Sequence, residues 1–158
     1  MFRICFVCLG NICRSPTAEG VFRHRLQKAY PNAQVHIDSA GTAGYHVGAA
    51  ADQRSRDVAA KRGYELTSRA AQFRAEDFAR FSMVLAMDQE NLSNLRAICP
   101  DSFDGELRLF RDFDPEAKPG ASVPDPYYGG SSGFEDVLDM CERTSDGLIE
   151  HLKSSGLL

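Results

Sequence analysis

The sequence predicts an α/β fold in which a parallel sheet is covered by helices on both faces. Three observations carry this. Short apolar runs that read as buried strands recur along the chain, and segments with helical periodicity separate them. The first run also ends at a glycine and leads straight into a helix start. With 158 residues, 43% apolar and 25% charged, the chain has the balance of a soluble globular protein, expected as one domain over 1–158.

Residues 2–7 form the first buried strand. Ser15 and Pro16 then mark a helix start, with Ser as N-cap and Pro at the first helical position, where its missing N–H does no harm. Ala18, Val21, Phe22, Arg25, Leu26 and Ala29 follow at helical spacing until Tyr30-Pro31-Asn32 stops them. Residues 34–39 alternate as a second strand, closed by Ala40-Gly41-Thr42. Residues 54–62 read as a helix ending at Gly63, and 75–81 as a shorter helical stretch. Residues 83–87 are a third buried strand, after which Asp88 is placed to cap a helix over 89–98. Residues 107–110 are a short fourth strand, 112–133 a Pro/Gly-rich loop, and 134–152 a final amphipathic helix. Such sheets bind ligands at the carboxyl ends of their strands, and long loops are often functional, so the first turn and the 112–133 loop are the places to look for chemistry.

Bulk properties exclude several classes. A net charge of −4 argues against general nucleic-acid binding. The first apolar run is too short for a signal peptide or a membrane span, so a cytoplasmic protein with no membrane contact is expected. The five cysteines are odd in number, and His24, His36, His46 and His151 show no metal-ligand spacing. Reduced thiols, no metal and no cofactor are the expectation.

The first turn reads Cys8-Leu9-Gly10-Asn11-Ile12-Cys13-Arg14-Ser15. Between a buried strand and a helix start, each part has a physical task. Its backbone N–H groups can curl around an anion while the helix N-terminus adds unpaired donors and partial positive charge. Gly10 and Asn11 are residue types that tolerate positive φ. Arg14 brings a planar fork that holds two phosphate oxygens at once. Cys8 sits at the start of the loop, where that field favours a nucleophilic thiolate. A buried Cys and a surface Arg joined by an ordinary turn is the plain alternative. A thiolate attacking a phosphate ester needs a group to protonate the departing oxygen, and the long loop offers Asp125 between Pro124 and Pro126. The prolines limit where its carboxyl can point, and Tyr127 and Tyr128 can wall an aromatic pocket.

These residues resemble the low-molecular-weight protein tyrosine phosphatase family over nearly the whole chain. The likeness rests on Val7 through Pro16 and on Asp125-Pro126-Tyr127-Tyr128, with Asp38-Ser39-Ala40-Gly41-Thr42 and Ala86-Met87-Asp88 also matching. It implies a three-layer, flavodoxin-like sandwich around a four-stranded parallel sheet, and hydrolysis of phosphotyrosine through a cysteinyl phosphate. Cys8 is then the nucleophile, Arg14 the clamp and Asp125 the acid and later the base, with no metal needed. Ser15 supports the thiolate, Asn11 fixes the loop through partners including Ser39, and Leu9, Tyr45, Tyr127 and Tyr128 line the cleft. Phosphotyrosine proteins, a tyrosine kinase among them, are the implied partners, and a monomer is the default state. The chain departs from the family at Ser68-Arg69-Ala70-Ala71, where many members carry His-x-Ala-Arg, so one polar contact to the loop is expected to be missing or rerouted.

Three other readings compete. Arsenate reductases on this fold relay a disulfide through closely spaced cysteines, whereas Cys99 and Cys141 are far apart. Arginine phosphatases resemble the family but carry Thr where this loop has Ile12. A non-catalytic phosphate-binding module has no need of Cys8, Arg14 and Asp125 together. Cys13 lies near Cys8 in the loop and is a candidate to capture an oxidised Cys8 as a disulfide, and Tyr127 and Tyr128 are candidate phosphorylation sites.

Overall fold

Alternation along the first strand sends Ile4, Phe6 and Cys8 to one side and Cys5 and Val7 to the other, and all five are buried. A strand apolar on both faces has to lie inside a sheet covered twice. The computed structural model, which describes residues 1–126 and 132–158, has that arrangement. Strands β1 (Phe2–Cys8), β2 (Val35–Gly41), β3 (Met83–Ala86) and β4 (Glu106–Leu109) form one parallel sheet in the order β2-β1-β3-β4. Ile4 pairs with Ile37 on one side and Met83 on the other.

Helices α1 (Arg14–Ala29), α2 (Gln53–Lys61) and α4 (Ser132–Ser154) cover one face, and α3 (Gln89–Ile98) with a 3-10 turn over Ala75–Arg80 covers the other. On the first face Phe6 meets Phe22 and Phe110 edge-on, with ring centres 5.7 and 5.2 Å apart. Each fully buried ring of this kind contributes about 1.5–3 kcal/mol. On the second, Phe73, Phe78 and Phe81 pack with Leu92 and Leu95. Among the described residues no helix is long and apolar enough to cross a membrane.

The strand order is what positions the site. The chain leaves β1, builds β2 on one side, then crosses to β3 on the other. A crevice opens where the two directions part, at the carboxyl ends of β1 and β3.

The three-layer α/β sandwich expected from sequence is therefore observed, with local differences. The N-cap of α1 is Cys13 and makes no side-chain cap bond. Ser15 does not cap because its hydroxyl is held by Cys8 and Asn11. Pro16 falls third in the helix, still within the first turn, where no N–H has an intrahelical partner. Strand β2 runs on to Gly41 because Ala40 and Gly41 pair with Val7 and Cys8. The 75–81 stretch is a 3-10 turn, closed at its start by the Asp77 carboxylate accepting from the Arg74 N–H. Phe110–Phe113 is a second 3-10 turn, where Phe110 leaves β4 to fill the core. Asp88 caps α3 as expected, its Oδ1 accepting from the Asn91 N–H at 2.7 Å.

Candidate active site

The turn after β1 is shaped by where its carbonyls go. Cys8 O accepts from Thr42 N–H at 2.9 Å, Leu9 O from Ala43 N–H at 3.0 Å and Ile12 O from Asp52 N–H at 2.7 Å. A trans peptide sets its N–H opposite its C=O, so anchoring these carbonyls to neighbouring segments turns the next N–H groups the other way. The Asn11 N–H donates to Cys8 Sγ at 3.2 Å. Asn11 takes φ 57°, the left-handed conformation expected of it. Gly10 does not adopt positive φ; its missing side chain serves a different need, because a Cβ there would stand 2.9 Å from His46 Cδ2. Gly41 is required for close approach as well, since its Cβ would meet Leu9 O at 2.7 Å.

Beneath the sulfur lies a buried polar chain. Cys8 Sγ is 3.0 Å from Ser15 Oγ. The Asn11 amide donates to Ser15 Oγ at 2.8 Å and to Ser39 Oγ at 3.0 Å, and its oxygen accepts from the Ala71 N–H at 3.0 Å. Ser39 in turn donates to Glu19, which pairs with Arg23 at 2.6 Å. Asn11 is 1% and Ser15 0% exposed, so every polar atom here needs a partner from the protein. In the Ser68–Ala71 stretch the backbone reaches the loop: the Ala71 N–H donates to Asn11 Oδ1, and its carbonyl accepts from the Gly41 N–H at 2.8 Å.

Arg14, whose side chain is 4% exposed, is aimed by two acceptors. Its Nη1 donates to Asp88 Oδ2 at 2.6 Å and to Val123 O at 3.1 Å. Asp88 thus gives one oxygen to the helix cap and the other to the guanidinium. Burial alone pulls the Arg14 guanidinium down, but the negative charge of Cys8, Asp88 and Asp125 outweighs it and holds it above its ordinary value. Asp125 Oδ2 stands 3.7 Å from Arg14 Nη2 on a side chain that is 40% exposed.

Cys8, Leu9, Gly10, Ile12, Cys13, Arg14, Tyr45, His46 and Asp125 line one open cleft of about 320 Å³. Of the residues singled out from sequence, Asn11, Ser15 and Ser39 lie under this cleft, and Tyr127 and Tyr128 fall outside the described residues. Sequence reading missed Glu19, His46 and the hold of Asp88 on Arg14. Glu19 sits among apolar neighbours at buried helical positions, which is the one signal that could have found it. Burial pushes the Cys13 thiol up to about 12, with Asp52 adding to the effect and a hydrogen bond from Ser55 opposing it. Among the described residues no group of three or more His, Cys, Asp or Glu side chains is placed to hold a metal ion.

A doubly wound sheet whose first strand ends in a Cys-x5-Arg turn, with a carboxyl across the cleft, is the architecture of a cysteine-dependent phosphatase. The chain belongs to the low molecular weight phosphotyrosine protein phosphatase family, whose sequence profile matches residues 3–156. It is 48% identical over 150 residues to the low molecular weight protein-tyrosine-phosphatase of Streptomyces coelicolor, covering 94% of this chain and 92% of that one. It is 36% identical over 149 residues to the human low molecular weight phosphotyrosine protein phosphatase, covering 93% of each. Among solved structures, the protein tyrosine phosphatase of Entamoeba histolytica with Hepes in its active site superposes with a TM-score of 0.92 at 39% identity. That match covers 99% of this chain and 100% of the other.

Proposed function

We propose that residues 1–158 act as one catalytic unit that hydrolyses phosphotyrosine, with Cys8, Arg14 and Asp125 as its catalytic residues. The observation that carries this is their convergence: a sulfur, a guanidinium and a carboxyl line the same cleft, with the last two 3.7 Å apart. Cys8 Sγ attacks phosphorus, a sulfur–phosphorus bond forms, and the phenolic oxygen leaves with a proton from Asp125. Arg14 and the loop N–H groups hold the three equatorial oxygens, whose charge rises in the transition state. In the second step Asp125 takes a proton from water as the water oxygen attacks, releasing phosphate and the Cys8 thiolate. Ser15 and the Asn11 N–H hold that sulfur when it carries charge, and Asn11 and Ser39 keep the loop in shape.

The test is steady-state hydrolysis of an aryl phosphate by wild type, Cys8→Ser and Asp125→Ala with a chelator present. Undiminished turnover by Cys8→Ser would refute the reading.

Ile12 and Leu9 in the cleft support an aromatic substrate over a guanidinium, because neither offers a hydrogen bond to phosphoarginine. Faster cleavage of phosphoarginine than of phosphotyrosine peptides would reverse that assignment. An arsenate reductase relay is disfavoured, since Cys141 is in the core on one face of the sheet and Cys99 packs on the other. Tyr45 is assigned to the wall of the cleft, and phosphotyrosine proteins, tyrosine kinases among them, are the partners this chemistry fits.

All five cysteines are free, which fits a reducing compartment, and the cytoplasm is the location assigned here. A monomer is kept as the working state. Cys8 and Cys13 line the same cleft, which supports redox protection. Peroxide takes Cys8 to a sulfenic acid, Cys13 displaces water to form the disulfide, and a dithiol reduces it. Cys13→Ser is then expected to recover less activity than wild type after peroxide followed by dithiothreitol.

A further inference from the structure

The part of the loop that leads to Asp125 is tied at two points by one side chain outside the cleft. Arg111 stands in the 3-10 turn after β4. Its Nε and Nη2 donate to Asp114 Oδ2 at 3.2 and 3.1 Å, and its Nη1 donates to Ser122 O at 2.8 Å. One planar fork therefore joins the first residues of the loop to the last ones before the acid.

We propose that Arg111 is a positioning residue for proton transfer, holding Asp114 and the Ser122 carbonyl together so that the Asp125 carboxyl stands over Cys8. This rests on the reading of Asp125 as proton donor. The two ends of the clip differ in what they touch. Asp114 belongs to the body of the protein: its carboxylate is fully buried, accepts the Glu116 N–H at 2.9 Å and is also bonded by Arg143 from α4. The adjoining backbone is pressed onto α4 so closely that a Cβ at Gly147 would stand 1.8 Å from Phe113 O. Ser122 belongs to the site, because the next residue, Val123, donates to Met87 O at 2.7 Å and accepts from Arg14 Nη1 at 3.1 Å. Pro124 then fixes φ on the single step between Val123 and Asp125, which leaves fewer torsions to absorb a displacement at Ser122 before it reaches the carboxyl. Arg143 supplies an internal control: it bonds both oxygens of the same Asp114 carboxylate and pairs with Glu116, and among the described residues no bond from it reaches Ser122.

The experiment compares kcat/KM for phenyl phosphate, whose leaving oxygen needs a proton, with 2,4-dinitrophenyl phosphate, whose leaving group departs as a stable anion. Asp125→Ala is expected to lower the phenyl-to-dinitrophenyl ratio about 100-fold. Arg111→Met is expected to lower it about tenfold with the dinitrophenyl rate nearly unchanged. The Arg111→Met, Asp125→Ala double variant should then be no worse than Asp125→Ala alone, because both changes remove the same step. Arg143→Gln should leave the ratio at the wild-type value. Arg111→Lys retains the charge beside Asp114 without the fork, so it provides a folded variant with a smaller fall in the ratio if Arg111→Met does not fold.

Equal losses on both esters, or losses that multiply in the double variant, would make Arg111 a purely structural residue and overturn the proposal. An unchanged ratio in Asp125→Ala would instead remove the reading of Asp125, and the role of Arg111 with it.

Discussion

The cleft is made by two loops that solve the same positioning task in opposite ways. The turn over 8–15 is short, buried at Cys8, Asn11 and Cys13 through Ser15, and its floor is held by neutral hydrogen bonds among Asn11, Ser15 and Ser39. The segment over 112–126 is longer, carries a half-exposed carboxyl and is held by charged pairs at Asp114 and by backbone bonds through Val123. The difference follows from what each contributes to the proposed reaction. A nucleophile and an anion cradle need a fixed geometry that water cannot loosen, which burial with full hydrogen bonding provides. A proton donor has to reach substrate from the open side and exchange its proton with water, so it is tethered at its flanks rather than buried.

The contrast predicts unequal damage. The largest effect belongs to Cys8→Ser, where turnover should fall on the order of 10⁵-fold while phosphate still protects the protein against heat. Arg14→Lys comes next, with kcat/KM down about 10³-fold, because a point charge cannot hold two oxygens or keep both Asp88 and Val123 as partners. In the buried loop, Asn11→Ala removes three side-chain bonds at once. A loss of about 1–3 kcal/mol in urea unfolding is expected, together with about a tenfold fall in kcat/KM.

The smallest effect concerns the charged tether and depends on pH. Burial alone raises the Asp114 carboxyl, but the Glu116 N–H, Arg143 and Arg111 outweigh it and hold it below the ordinary carboxylate range. A depressed folded-state value stabilises the protein above the unfolded value of about 3.9, and the benefit is lost as pH falls through the folded one. Wild type should therefore exceed Asp114→Asn by about 1–2 kcal/mol at pH 7, and the gap should narrow only below about pH 4. A gap that closed already at pH 6 would place the controlling titration elsewhere.

Much of the nucleophile loop was legible along the chain because its parts are neighbours. Cys8, Arg14 and Ser15 lie within one turn between a strand and a helix, and their spacing already implies an anion cradle. The assignment of Ser15 as helix cap failed because a hydroxyl can serve only a few partners, and Cys8 and Asn11 took it. Gly10 is a residue type that tolerates positive φ but does not use it, and its place beside His46 depends on a segment 36 residues further on. Asp125 could be proposed from chemistry, but its supports could not be seen. Arg111, Asp114, Ser122 and Arg143 look like ordinary surface polar residues until β4 and α4 bring them together.

By itself the sequence determined the strand and helix alternation, the candidate reactive groups and the turn proposed to hold an anion. These depend on side-chain periodicity and on contacts between residues close along the chain. The tertiary structure alone decided that Asp88 aims Arg14, that Ala71 and Glu19 complete the network beneath Cys8, and that Arg111 clips the acid loop. Each of those is a bond between residues far apart in sequence or a choice among several partners. A polar side chain acquires such a bond only when packing fixes which donor and acceptor stand within about 3 Å of each other.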